Sequence, residues 1–338
     1  MKVGAWLAMV LLGTPTAPHE LAFEPREGER LLARFEVSTE LTLERVEAWF
    51  GTPTRRENFP APCSDRRSEA LRVEFLDEHR RVDASRIGER RRNFCATELT
   101  QERRFNSGAG EFSDSLAGEG LLVGRTVAFR WDRELGEEVA EVEGDDSIER
   151  TVLDELRAGA DGQGFLPPRP VQVGDRWRVD ANVLIECYAP GGGLPFVSSD
   201  KRDMTRTFDL KLLRALDGEL WCELVDVQHV DERELATIRV TGEIELQRNW
   251  DKQVSLTELL GVVLEGDGTL DSKLELFVKG EVVWDRSARR LAHGELRSEL
   301  SLVGEQQLTT GHGVHVGLIE TWSGALVARF SVESASKL

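Results

Sequence analysis

From residue 30 to 44 the chain alternates without a break. Phe35, Val37, Thr39, Leu41 and Leu43 fall on one side of an extended strand, and Arg34, Glu36, Ser38, Glu40, Thr42 and Glu44 fall on the other. Period two over that length predicts a long, half-buried β-strand. Leu71, Val73 and Phe75 repeat the pattern against Arg72 and Glu74, with Asp77-Glu78 as the expected turn back. Further alternating runs cover 204–212, 220–230, 236–246, 270–284, 291–302 and 324–332. Asp217-Gly218 and Gly266-Asp267-Gly268 read as turns between them.

One punctuation recurs three times: Trp131-Asp132-Arg133, Trp250-Asp251-Lys252 and Trp284-Asp285-Arg286. The first and third copies end an alternating run and precede a second one, which predicts β-hairpins. The Gly-, Ser- and Ala-rich stretch 106–120 and the proline-bearing stretch 51–64 read as loops.

The best helix lies at 146–158. Asp146 or Ser147 caps it, Ile148, Val152 and Leu156 share a face, and Gly159 ends it. Helices are too few between strands for a parallel βαβ series. The expected fold is mainly β: antiparallel, hairpin-rich sheets with one or two short helices. They pack as a sandwich or as a curled half-barrel of the LolA-like carrier shape, with the helix as a lid. The outer two Trp-Asp-Arg hairpins hint at two related halves. The boundary falls near residue 165, giving residues 18–164 and 165–338.

Residues 1–17 read as an export signal. Lys2 precedes an apolar run from Ala5 to Leu12, and Gly13 to Ala17 supply a breaker and small residues. The run is too short for a membrane span, which needs roughly 20 apolar residues. Thr14 stands where a bacterial lipoprotein needs cysteine, so no lipid anchor is expected. The expected location is periplasmic or extracellular in a bacterium. Four cysteines, Cys63, Cys95, Cys187 and Cys222, then pair as Cys63–Cys95 and Cys187–Cys222 or stay as buried thiols.

With 338 residues and 40% hydrophobic content, the chain can bury a sizeable core. A net charge of −18 repels nucleic acid. Phe165-Leu166-Pro167-Pro168-Arg169-Pro170-Val171-Gln172-Val173-Gly174-Asp175-Arg176-Trp177 resembles the "Pro, Val, Val-Gly-Asp, Trp" segment of uncharacterised exported bacterial β proteins. Val282 to Leu302 is similar to the hairpin that follows in them. The resemblance covers the second half and implies fold and export, with no activity attached.

Chemistry is sparse. His312 and His315 sit in a glycine loop that could converge on a metal, but no nearby residue completes a ligand set. No nucleophile elbow or phosphate loop occurs. Arginines from Arg80 to Arg104 are interspersed with acids and read as exposed strand faces, with an anion- or polysaccharide-binding patch as the alternative. No catalytic residue and no cofactor is expected. The leading expectation is a non-enzymatic binding or envelope-associated module that holds an apolar or lipid ligand in a curled sheet. The alternative is a hydrolase assembled from His79, Cys95, His312 and His315 only in three dimensions.

Overall fold

The computed structural model describes residues 18–52, 55–60, 63–83, 86–107, 110–132, 134, 137–144, 148–208, 213–214, 216–255, 265–309 and 315–335. The 30–44 alternation becomes the start of β1 (Arg30–Thr52). It is followed by β2 (Arg55–Pro60), β3 (Ser64–Asp83), β4 (Arg86–Ser107) and β5 (Gly110–Gly120). The hairpin β6 (Thr126–Asp132) and β7 (Glu137–Val142) carries the first Trp-Asp-Arg copy. A strap then holds α1 (Arg150–Glu155), β8 (Arg176–Asp180), α2 (Val183–Tyr188), β9 (Phe196–Ser198) and β10 (Asp203–Met204). Five long strands close the chain: β11 (Glu219–Val230), β12 (Arg233–Ser255), β13 (Glu265–Asp285), β14 (Arg290–Thr309) and β15 (His315–Ser334).

The fifteen strands of the described residues form one antiparallel sheet, ordered β10-β9-β5-β4-β3-β1-β15-β14-β13-β12-β11-β8 along its main path, with β2, β6 and β7 attached at the side. The sheet ends at β8 and β10 and does not close. It is therefore neither a sandwich nor a complete barrel. No helix among the described residues is long and apolar enough to cross a membrane.

Several expected turns are strand instead. β3 runs straight through Asp77-Glu78 because Asp77 and His79 face inward, opposite Arg92 and Arg90 of β4. Gly266-Asp267-Gly268 lies within β13, paired with Val254, Gln253 and Lys252. Most of the expected loop at 106–120 is β5 (Gly110–Gly120). Its small residues are needed there, since a Cβ on Gly118 would lie 2.8 Å from the Val197 carbonyl oxygen. The second Trp-Asp copy lies inside β12.

The third copy does make a hairpin: Trp284 is buried, and Asp285 accepts the Ala288 amide (2.9 Å) and Arg233 Nε (2.8 Å). In the first copy, Asp132 likewise accepts the Glu134 amide at 2.8 Å.

One face of the sheet is mostly apolar from β4 to β11. Phe94, Val73, Phe35, Leu326, Leu296, Val278, Val240 and Cys222 represent its successive strands. The strap lies against this face: Leu184, Tyr188, Phe165, Phe196 and Leu213 belong to the same core as Phe35, Phe75 and Phe330. Tyr188 shares a hydrogen bond of 2.7 Å with Ser298 of β14.

α1 is shorter than the expected helix. Leu156 leaves it to bridge Gly192, and the Arg157 amide donates to the Gly191 carbonyl at 3.0 Å. Those contacts replace a further helical turn. Residues 145–147, the expected cap, and residues 1–17, the expected export signal, lie outside the described residues. β1 pairs with β15 over its whole length, so strands on either side of residue 165 share one sheet.

Candidate functional site

Seven neighbouring strands, β5, β4, β3, β1, β15, β14 and β13, contribute to the lining of one cavity of about 500 Å³, together with Thr205 and Thr207. Adjacent strands lie about 4.8 Å apart, so a flat sheet would spread seven of them over roughly 29 Å. One cavity touched by all seven fits a sheet that curls around it.

The site is built by parity. Leu71, Val73 and Phe75 face the core, so counting back by twos along β3 brings Glu69, Arg67 and Asp65 to the same face. Opposite them on β4 stand Gln101 and Arg103. On β15 the inward positions are Glu320 and Trp322, the latter opposite Leu43 of β1 and Leu302 of β14. The apolar core face thus continues into a polar end.

The polar groups there are anchored from beneath. Asp65, with a side chain only 2% exposed, accepts Arg67 Nη2 at 2.8 Å and Arg103 Nη2 at 2.9 Å. The Arg67 guanidinium lies 4.5 Å from the Trp322 ring centre, within cation–π range. Glu69 accepts the Thr207 amide (2.7 Å), Gln101 Nε2 (3.0 Å) and Arg206 Nε (3.3 Å). Gln101 also donates to the Thr205 carbonyl at 2.8 Å. Burial pushes the Glu320 carboxyl above its ordinary range, while the Trp322 indole and Arg67 pull it back.

A second ionic cluster sits on the same face, under the strap. Arg92 grips Asp77 through Nε (2.7 Å) and Nη2 (2.8 Å), and donates to the carbonyls of Arg157 (3.1 Å) and Ala158 (2.8 Å). Arg90 bonds Asp77 (3.2 Å), Asp161 (2.6 Å) and the Ala158 carbonyl. These two arginines correct the expectation of exposed faces: their neighbour Arg91 points outward, while Arg90 and Arg92 are buried and hold the strap down. Burial beside Asp161 pushes the Glu186 carboxyl up to about 7, although the Gly162 amide donates to it at 3.2 Å. The cluster is filled by protein, so its chemistry is structural.

A wider groove of about 890 Å³ crosses the outer face near Gly280 and Gly294. Its charged groups are exposed and engaged with one another or with neighbours across strands, as in Arg329–Glu295 and Lys279–Glu299. Exposed pairs of this kind contribute little.

The residues singled out in the sequence scatter. His79 is buried, with Nδ1 3.6 Å from Glu29 and no hydrogen-bond partner for either ring nitrogen among the described residues. Burial and then Arg90 lower its pKa. Cys95 is exposed on the opposite face of the sheet, so the two do not meet. His312 lies outside the described residues, and His315 begins β15 opposite Gly51 and Thr309. No group of three potential metal ligands occurs among the described residues.

The expected Cys63–Cys95 bridge is corrected by register. Cys63 precedes Ser64, whose partner on β4 is Asn106, eleven residues from Cys95. That is about 35 Å along a strand, against a Cα separation limit near 7 Å for a disulfide. Cys187 and Cys222 are buried and also unbridged, and burial pushes the Cys222 thiol up to about 12.

Sequence reasoning missed Asp65, Arg67 and Glu69 because Ser64-Asp-Arg-Arg-Ser-Glu69 reads as a polar loop. The parity of Leu71 and Val73, extended backwards, is the signal that finds them.

No protein-family profile and no curated protein matches this chain. Among solved structures, a mutant of the Rh. blastica porin covers 86% of this chain and 99% of its own, at 10% identity and a TM-score of 0.20. A Pseudomonas aeruginosa FadL homologue covers 91% and 90%, at 8% identity and 0.16. The P. putida toluene transporter TodX covers 94% and 92%, at 10% identity and 0.12. Those TM-scores are too low to carry an argument about shape or function.

Proposed function

We propose that the chain is a non-enzymatic, exported binding module that holds a small ligand in the mouth of its curled sheet. The observation that carries this reading is the cavity beside Trp322, whose polar groups are fixed by the buried Asp65 and Glu69. A pocket of a few hundred Å³ with a few fixed polar groups is the usual form of a small-molecule site. The apolar run from Ala5 to Leu12 supports export, and a periplasmic or extracellular location follows from it.

The carrier version expects open space between sheet and helix. That space is filled by Phe75, Phe94, Phe165 and Tyr188, which leaves the mouth as the place for a ligand. Native mass spectrometry of protein purified from its own host, followed by solvent extraction, tests the reading. A bound small molecule is the expected result. A ligand-free protein that also fails to shift in melting temperature with any member of a broad small-molecule panel would overturn it.

A further inference from the structure

The mouth cavity has a definite chemical character. Polar side chains on its face, among them Arg67, Gln101, Arg103 and Gln306, stand over a lining surface that is itself mostly apolar, with Leu41, Leu116, Leu302 and Trp322 contributing to it. We infer that it binds a neutral, hydroxyl-rich ligand of the carbohydrate class. This inference rests on the binding-module reading and names its ligand.

Three observations converge. First, the charges at the site are internally matched. Asp65 engages both Arg67 and Arg103, and Glu69 engages Arg206. Glu320 and Asp114 add carboxylates to the lining, in a chain of net charge −18. An anionic ligand therefore meets arginines already committed to a buried aspartate, in a repulsive field.

Second, donors and acceptors stand side by side. Gln306 and Ser272 each present both, and Gln101, whose two amide hydrogens go to Glu69 and the Thr205 carbonyl, leaves its oxygen as an acceptor, between guanidinium donors and carboxylate acceptors. A hydroxyl group is itself both donor and acceptor, so it suits this mixture. An acyl chain would strip water from groups such as Gln306 and Ser272 and return no hydrogen bonds, at a cost of about 1–3 kcal/mol for each group left unpaired.

Third, the polar groups are held before any ligand arrives. Gln101 is tied to Glu69 and to the Thr205 carbonyl, and Arg67 to Asp65 and the Trp322 face. Fixed donors lower the ordering cost of binding. The apolar wall supplies the surface that the C–H face of a sugar ring needs.

Isothermal titration of the full-length mature protein with maltotriose, cellotriose and chitotriose, alongside laurate and spermidine, tests this. The expected result is heat from at least one neutral trisaccharide, reduced at least 10-fold in affinity by Gly304→Leu, which adds a bulky side chain to the lining. Gln306→Ala is the second variant, should the first not fold. Each variant is checked by its melting temperature. Trisaccharide binding untouched by a folded variant would overturn the location. Laurate or spermidine binding that a variant abolishes, with no trisaccharide bound, would overturn the carbohydrate class and leave the binding-module reading standing. No heat from any probe would overturn the class, and the host-purified protein's native mass spectrum then decides the broader reading separately.

Discussion

Arg92 and Asp77 form a two-pronged ion pair, with side chains 0% and 6% exposed, in the middle of a sheet face that is otherwise mostly apolar. The Arg92 guanidinium also stacks 3.6 Å from the Phe75 ring centre. Asp77→Ala leaves Arg92 buried without its carboxylate and removes one of Arg90's two. Breaking a buried pair from one side costs about 3–5 kcal/mol. Urea denaturation should show a loss of that size. A loss below about 1 kcal/mol would mean that water reaches the cluster.

Glu186 should make the protein less stable as pH rises. Its folded-state pKa, about 7, lies above the ordinary value of 4.5. Between those two values the unfolded chain has released this proton while the folded chain still holds it. Stability therefore falls across that window, by up to about 3 kcal/mol from this group. Glu186→Gln should match the parent at pH 4 and exceed it at pH 8 in thermal melts. Equal stability at both pH values would sink the assignment.

His79 acts in the opposite direction. Its pKa is lowered by burial and by Arg90, so below its ordinary 6.5 the unfolded chain binds a proton that the folded chain refuses. Stability contributed by neutral His79 falls as pH drops through and below 6.5. His79→Gln should flatten that acid limb in pH-dependent denaturation, whatever it does to stability at neutral pH.

The thiols should react in order of exposure. Cys95 reacts first with a thiol reagent in the native protein, Cys63 follows, and Cys187 and Cys222 wait for unfolding. Titration under denaturing, non-reducing conditions should find four thiols, and reducing agent should leave the melting temperature unchanged. Fewer than four would require a pairing that the register of β3 and β4 does not allow between Cys63 and Cys95.

Gly192 should not tolerate a side chain. Its φ is +89°, and a Cβ there would lie 2.4 Å from the Glu155 carbonyl oxygen. Gly192→Ala forces the Gly191–Gly193 turn away from the end of α1, at a cost of about 1–3 kcal/mol from backbone strain alone. Equilibrium denaturation of the variant measures it.

Much of the sheet was legible in the sequence because long strands with one wet face must alternate. Phe35 to Leu43 and Leu71 to Phe75 showed this directly, and Asp285 marked a true hairpin. The reading broke where the inward face carries charge. Asp77 looked like a turn because nothing local reveals that Arg92, fifteen residues on, neutralises it. The mouth was hidden for the same reason: Asp65 and Glu69 become inward residues only once Arg103 and Arg206 arrive from elsewhere in the chain. α1 was overread because its end is set by Gly191 and Gly192, some thirty-five residues later, and not by its own cap.

The pairing of β1 with β15 bears on how the molecule is made. Leu31 sits opposite Ser334, so nearly the full length of the chain must emerge before the central seam of the sheet can zip. Contacts of such long sequence separation make folding slow. Until then β1 offers a bare row of amides and carbonyls to any passing strand, a hazard that favours a delayed, assisted assembly over folding during synthesis. The same neighbourhood brings the start of β1 and the end of β15 side by side. A short peptide joining them, with new ends cut elsewhere, would turn the slowest contact in the molecule into a local hairpin.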